Sequence, residues 1–499
     1  MIEIKDRTAP LEMTGTAFRA AGHRLVDQIA SWLDAMPDGP VTHDESPADV
    51  RRALQAHRPL PDAGADASAL LDEAADLLFR HSLFNGHPRF FGYITSSPAP
   101  IGALGDLLAS AVNQNVGAWR LSPMATEIEV QTVRWIAELT GFPADAGGLL
   151  VSGGNMANFV CFLAARTAMA TGDVRTTGLR SMNAQLRVYA SMETHTWIQK
   201  AADLFGLGTD AIRWIPTDDQ QRIDVVALED QIVADRKNGD LPFLVVGTAG
   251  SVSTGVVDPL PELAAICRRR DVWFHVDGAY GALAARVPGA PASLLGIREA
   301  DSVAVDPHKW LYAPVEAGCA LVRRPADLRK TFSYHPSYYH FDQETTNFFD
   351  YGPQNSRGFR ALKMWLALRQ VGLSGYMEMI GDDMRLAAYL HALVQQDPEF
   401  EALTYHLSIT TFRYVPRDLD VAVAEREEYL QRLNQDLLSR VERSGEAFLS
   451  NAVVDGRFAL RACIVNFRTS RADVEALLPL LSRLGREADA SLRQLTKAG

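Results

Sequence analysis

The chain has 499 residues, 47% hydrophobic and 22% charged, with 49 Lys and Arg against 61 Asp and Glu for a formal net charge of −12. That acidic balance argues against nucleic acid or an anionic membrane as partner, since both need basic patches. No run approaches the ~20 apolar residues of a membrane span, and the opening MIEIKDRTAP lacks the basic-then-apolar pattern of a signal peptide; a cytoplasmic protein is expected. The length suits one large α/β domain with smaller appendages. Cys161, Cys267, Cys319 and Cys463 lie far apart in apolar contexts, without metal-ligand spacing, and read as buried free thiols.

From Thr14 to Met36, Phe18, Leu25, Val26, Ile29, Trp32 and Leu33 recur at helical spacing, and Pro37-Asp38-Gly39-Pro40 ends the helix. After a Pro/Asp/Ala/Gly-rich stretch from Pro59 to Ala67, a second amphipathic helix is predicted over Ser68–His81. Two such helices bury little alone, so they are expected to wrap the main domain or another subunit. Pro88-Arg89-Phe90-Phe91-Gly92-Tyr93-Ile94 is an aromatic cluster whose Gly and Pro flanks suggest a pocket-lining loop. Helices follow over Ile101–Ala111 and Ala125–Thr140, separated by Asn115–Pro123.

Gly147–Asn158 has the form strand, glycine turn, helix start, and such a turn can cradle a phosphate against the positive helix end. It is not a dinucleotide fingerprint, because GxGxxG is absent. Strands then alternate with helices: strand Leu186–Ser191 with His195 just beyond, strand Phe243–Gly247 running into Thr248-Ala249-Gly250-Ser251, and helix Glu262–Arg270. This alternation predicts a parallel sheet covered on both faces. Tyr334–Asn355 is irregular and rich in Tyr, His, Phe and Asn, which predicts a lid. Helices resume over Ser356–Gln370 and again to about Gln395. The tail reads as strand Leu407–Val415, helix Ala424–Glu442, strands Ala447–Val454 and Arg457–Val465, and helix Arg471–Leu492, a small α+β domain.

Two strand ends carry the chemistry. Val303-Ala304-Val305-Asp306-Pro307-His308-Lys309-Trp310 puts a lysine just past a buried strand, where open α/β sheets place ligands. A partly screened lysine is easily deprotonated and can attack a carbonyl. Upstream, Val272-Trp273-Phe274-His275-Val276-Asp277-Gly278-Ala279 ends in a carboxylate followed by small residues. In pyridoxal-phosphate enzymes a lysine carries the cofactor and an acid pairs with its ring nitrogen. Alone, Asp277 could cap a helix and Lys309 could snorkel to solvent; together the two segments are far more specific.

In this order the segments resemble the pyridoxal-phosphate-dependent group II amino-acid decarboxylases of fold type I, the relatives of aromatic-L-amino-acid decarboxylase. The likeness runs from Phe18–His23 through Pro88–Tyr93, Ser122-Pro123, Ser152–Asn158, His195, His275–Tyr280, Asp306–Trp310 and Arg360–Trp365 to Phe458–Arg461. It implies an N-terminal helical dimerisation segment (1–85), a large cofactor-binding domain with a parallel or mixed sheet (86–380) and a small C-terminal α+β domain (381–499). It also implies pyridoxal 5'-phosphate as cofactor, an L-amino acid as substrate and a homodimer. By the same resemblance Lys309 is the Schiff-base lysine, Asp277 partners the ring nitrogen, and His195 stacks opposite Ala279. Gly154, Asn155, Ser251 and His308 hold the phosphate. Asp350-Tyr351 best matches the lid tyrosine that returns a proton to the substrate carbon, with Tyr334, Tyr338 and Tyr339 as competitors.

Phe90, Tyr93 and Trp119 match positions near the family's substrate pocket and favour an aromatic side chain by stacking. Arg120 departs from the expected small or neutral residue and would favour an acidic substrate if it faced the pocket. An aldehyde synthase on the same scaffold typically carries Phe at the lid tyrosine, so Tyr351 argues against that outcome. Transamination would need a carboxylate-clamping arginine in the small domain, for which Arg457 and Arg461 are available. A catalytically dead homologue is at odds with the retained Lys309, Asp277 and His195.

Overall fold

The computed structural model describes residues 9–335, 345–419 and 423–498. The large sheet contains β1 (Gly147–Val151), β2 (Leu186–Ser191), β3 (Ile212–Ile215), β4 (Leu241–Thr248), β5 (Trp273–Asp277), β6 (Ser302–Val305) and β7 (Gly318–Val322), in the order β1-β7-β6-β5-β4-β2-β3. Neighbours from β6 to β3 pair in parallel, whereas β7 is antiparallel to both β6 and β1. Successive side chains of β4 and β5 serve opposite faces, as a strand's period of two dictates. Val245, Phe274 and Val276 join one apolar core, while Leu244, Val246 and Trp273 join the other. Burial on both faces explains why these strands read as continuous apolar runs.

A second, antiparallel sheet has the order β10-β11-β9-β8, formed by β8 (Phe400–His406), β9 (Ile409–Tyr414), β10 (Ser450–Val454) and β11 (Arg457–Cys463). The helices Val423–Ser444 and Arg471–Ala498 pack on it. The helical run Ala361–Gln396, interrupted where Gly372 adopts φ 71°, passes through position 380 and touches both the large domain and this sheet. The Pro88–Ser97 segment joins the two regions. Its Phe91 N–H donates to Phe448 O and its carbonyl accepts from Cys463, both at 2.8 Å, while the Ser96 hydroxyl donates to His308 O at 2.7 Å.

The observed elements depart from the expected ones in several places. Strands β3 and β7 and the helices Pro47–Leu54, Val225–Lys237 and Pro325–Phe332 were not anticipated. The single strand expected over Leu407–Val415 is the second half of a hairpin that turns at Leu407-Ser408, with Leu407 in the left-handed region at φ 50°. The lid expected over Tyr334–Asn355 is not irregular throughout. Phe348–Asp350 forms a 3-10 turn, and Phe348, Phe349 and Tyr351 are buried. Among the described residues no helix is long and apolar enough to cross a membrane.

Candidate active site

The floor of the site is built from the carboxyl ends of β4, β5 and β6, where Thr248 pairs with Asp277 and Asp277 with Ala304. Past β6 the chain turns tightly, with the Lys309 N–H donating to Asp306 O at 2.9 Å and the Tyr312 N–H to Lys309 O at 3.1 Å. The turn brings Lys309 Nζ to 3.1 Å from Asp306 Oδ2, with side chains only 17% and 5% exposed. Sequence reasoning gave Asp306 no role of its own. The available signal was its position three residues before the lysine, the spacing at which one turn brings side chains together.

Asp277 is 7% exposed, and its Oδ2 accepts the Trp197 indole N–H at 2.7 Å while Oδ1 accepts the Ala279 N–H at 3.2 Å. Trp197 also donates its backbone N–H to His195 Nδ1 at 3.3 Å, so one residue orients both groups. Crowding by protein lowers the His195 pKa even though the residue is exposed on one side; the Asp277 charge opposes this and Lys309 adds to it. These three groups therefore share one electrostatic environment. Below them, His275 is fully buried with Nε2 2.7 Å from Asn158 Oδ1 and Nδ1 2.9 Å from Ser302 Oγ. Burial pushes its pKa down to about 4, so the ring is neutral and links β5 to the helix Gly154–Met169.

That helix starts at the floor without a side-chain cap, after Gly153 at φ 89°. A side chain at Gly154 would come within 2.5 Å of Asp306 Oδ2, so only glycine lets the helix end approach this closely. Asn155 is the helix's second residue. The His308 Nδ1–H donates to Ala317 O at 2.6 Å, and His308 Cε1 lies 3.7 Å from where a Gly153 Cβ would stand. Ser251 is buried after Gly250 (φ 93°), with its hydroxyl 3.1 Å from Thr254 Oγ1. This loop is tied to β5 through the Ala249 N–H, which donates to Asp277 O at 2.9 Å.

Phe90 is buried, stacked on Phe448 with centroids 5.3 Å apart in a small cluster with Val41, and the exposed Tyr93 lies 5.8 Å from the same Phe448 ring. Arg461 donates to Tyr93 O and Ser450 Oγ, each at 3.0 Å, but its buried Nε and Nη2 have no partner among the described residues. Trp119 stands apart from this aromatic group. It is bonded through its backbone to Asn347 Oδ1 (3.1 Å) and through its indole to Glu127 (2.8 Å). Arg120 is exposed.

Tyr351, expected on a lid as a proton donor, packs with Leu149, Val151 and Phe348, 8% exposed, with the Arg329 guanidinium 5.5 Å from its ring centroid. Apolar burial and the cation hold it in the wall of the large domain. Tyr334 is exposed, beneath the Arg175 guanidinium; Tyr338 and Tyr339 lie outside the described residues.

A family model described as the pyridoxal-dependent decarboxylase conserved domain matches residues 47–415. An aromatic-L-amino-acid decarboxylase of Bacillus atrophaeus is 34% identical over 487 residues, covering 96% of this chain and 98% of the relative. A phenylacetaldehyde synthase of Arabidopsis thaliana is 29% identical over 470 residues, covering 91% and 92%. Among solved structures, that of Oryza sativa TDC with PLP and tryptamine superposes with a TM-score of 0.88 at 28% identity, covering 96% of this chain and 99% of that one.

Proposed function

The chain belongs to the pyridoxal-dependent decarboxylase family, and we propose that it converts an aromatic L-amino acid to the corresponding amine and CO2. The observation that carries this reading is the convergence of Lys309, Asp277 and His195 on the uncapped start of one helix. The aromatic substrate is supported by the aromatic-amino-acid decarboxylases among the relatives and by the exposed Tyr93 ring beside Phe448.

The residues present fit pyridoxal 5'-phosphate. The uncapped helix end suits a phosphate, the held carboxylate of Asp277 suits a protonated ring nitrogen, and Thr248 Oγ1 and Asp306 Oδ1 are buried without partners among the described residues. When bound, the cofactor draws into its ring the electron pair left on the substrate's α-carbon as CO2 departs. Lys309 would carry it and give way to the substrate amine. Asp277, fixed by Trp197 and Ala279, would hold the proton at the ring nitrogen. His195 and Ala279 would cover its two faces, and Gly154, Asn155, Ser251 and His308 would hold the phosphate. Phe90 and Tyr93 would orient the side chain and exclude water from the carboxylate, which then leaves more readily. The proton returned to the α-carbon is assigned away from Tyr351, leaving Tyr334, Tyr338 and Tyr339 of the same stretch.

The enzyme is further read as a cytoplasmic homodimer. Leu104, Leu107, Leu108 and Val112 form a stripe on the helix Pro100–Val112, each about half exposed, and the helix Gly15–Ala35 exposes Phe18, Val26 and Ile29. Apolar stripes of this kind mark protein–protein contact. A second reading, an acidic substrate, has the unused donors of Arg461 in its favour. Mass spectrometry of products from cofactor-loaded protein and a panel of L-amino acids decides among these. Amine from tryptophan, tyrosine or phenylalanine is the expected result. Amine only from acidic substrates selects the second reading, and aldehyde with hydrogen peroxide would identify an aldehyde synthase.

A further inference from the structure

We infer that Asp383 is a positioning residue for Lys309, acting through the two aromatic residues that flank the lysine's turn; this rests on the assignment of Lys309 as the cofactor-carrying lysine. Asp383 lies on the helix Ala361–Gln396 and is 2% exposed. Its Oδ2 accepts two hydrogen bonds, from Trp310 Nε1 and from the Tyr312 hydroxyl, each at 2.8 Å, and the carboxyl also accepts from the Asn466 backbone. Among the described residues no cation pairs with it. Burial raises its pKa to about 7, against the pull of these three donors. An unneutralised carboxylate is a costly occupant of a core. What it secures here is the geometry of two side chains next to the reactive lysine.

Trp310 and Tyr312 are the first and third residues after Lys309, and both are buried. Tyr312 adopts the left-handed conformation at φ 51°, which a bulky residue holds only under outside constraint. Its hydroxyl is fixed by Asp383, its carbonyl accepts the Ala99 N–H at 2.8 Å, and the Ala313 N–H closes the turn onto Pro307 O at 3.2 Å. Trp310 stacks on Tyr280 at 4.5 Å, and the Tyr280 hydroxyl lies 2.6 Å from Ser408 Oγ. Tyr280 directly follows Ala279. Asp383 thus braces the Lys309 turn, and through Trp310 the chain beside Asp277, against a long helix and the start of the small domain. Among the described residues Lys309 itself makes a single ion pair, so the direction of Nζ is set mainly by this turn.

The test compares full-length D383A, D383N, W310F/Y312F and the triple variant D383A/W310F/Y312F, each loaded with pyridoxal 5'-phosphate. D383A is expected to lower kcat about tenfold to a hundredfold with KM nearly unchanged, as a small displacement of a reacting group does. It should also slow the appearance of the lysine-bound cofactor's absorbance band when apoprotein is mixed with the cofactor. D383N keeps an oxygen for Trp310 and Tyr312 and should restore most of both. In the W310F/Y312F background, removing Asp383 should change kcat no further. Multiplicative losses in the triple variant would overturn the proposal, as would a lowered thermal midpoint in D383A with kcat and the absorbance kinetics unchanged. Peptide mass after borohydride reduction of the unmodified enzyme reports independently whether Lys309 carries the cofactor, so failure of that premise is distinguishable.

Discussion

The floor of the active site, at the carboxyl ends of β4, β5 and β6, and the wall formed by residues 345–357 are held for opposite purposes. On the floor, polar groups are fixed but left with capacity to spare. Asp277 has two donors, Lys309 a single carboxylate, and Thr248 Oγ1 and Asp306 Oδ1 have no partner among the described residues. In the wall the charged pair is turned onto the protein itself, although Arg357 Nε and Gln354 Oε1 also lack a partner among the described residues. Arg357 is 3% exposed, pairs with the buried Glu129, donates to Val116 O and Leu150 O at 2.8 and 2.7 Å, and covers the Phe348 ring. Glu129 in turn accepts the Leu150 N–H at 2.9 Å, so the pair clamps β1 to the chain that follows the lid stretch. The two differ in where their charged groups are directed: on the floor toward the space beside Lys309, in the wall toward the chain's own carbonyls and a buried carboxylate.

Breaking the floor should cost activity and spare stability. Lys309→Ala is expected to reduce decarboxylation to the uncatalysed background while the thermal midpoint stays near that of the unmodified protein, and appreciable residual turnover would refute the assignment. The wall should behave in reverse. Arg357→Met leaves Glu129 as an uncompensated buried charge, which typically costs about 3–5 kcal/mol. Denaturant unfolding should show that loss, with kcat per folded molecule unchanged. Replacing both members, Arg357→Met with Glu129→Leu, should recover part of it.

The same contrast explains what the sequence disclosed. β2, β4, β5 and β6 were legible because burial on both faces demands unbroken apolar runs, and the residues that end those runs fall at the ligand edge by topology alone. Phe348, Phe349 and Tyr351 were read as a lid because no local pattern separates an aromatic that waits for substrate from one that fills the gap beside Leu149. That distinction is made by Arg357 and Glu129, 228 residues apart. β7 is only Gly-Cys-Ala-Leu-Val, too short to stand out, and the hairpin turn at Leu407-Ser408 carries no Gly or Pro to announce it. The bonds from Trp310 and Tyr312 to Asp383, and the unused nitrogens of Arg461, depend on partners brought together only by the fold.

His275, beneath Asp277, has both ring nitrogens paired, to Ser302 and Asn158. Its pKa is about 4 when folded against 6.5 as the ordinary value. The unfolded chain therefore binds a proton that the folded one refuses, and stability falls as pH drops through that window. Between pH 7 and pH 5 this amounts to about 2 kcal/mol. A His275→Asn variant should lose that part of the acid sensitivity when denaturant midpoints at the two pH values are compared.

The smallest expected effect is the sharpest test of the division. The Tyr351 hydroxyl makes no hydrogen bond among the described residues, and its ring is held by apolar contact and Arg329. Tyr351→Phe keeps the ring, the packing and the cation contact, so stability should move by less than about 0.5 kcal/mol, with kcat and the amine product retained. The same change at whichever of Tyr334, Tyr338 and Tyr339 returns the proton should divert product toward aldehyde. If Tyr351→Phe itself lowered kcat a hundredfold and released aldehyde, the wall would have to take part in the reaction, and burial among apolar neighbours could no longer be read as anchorage alone.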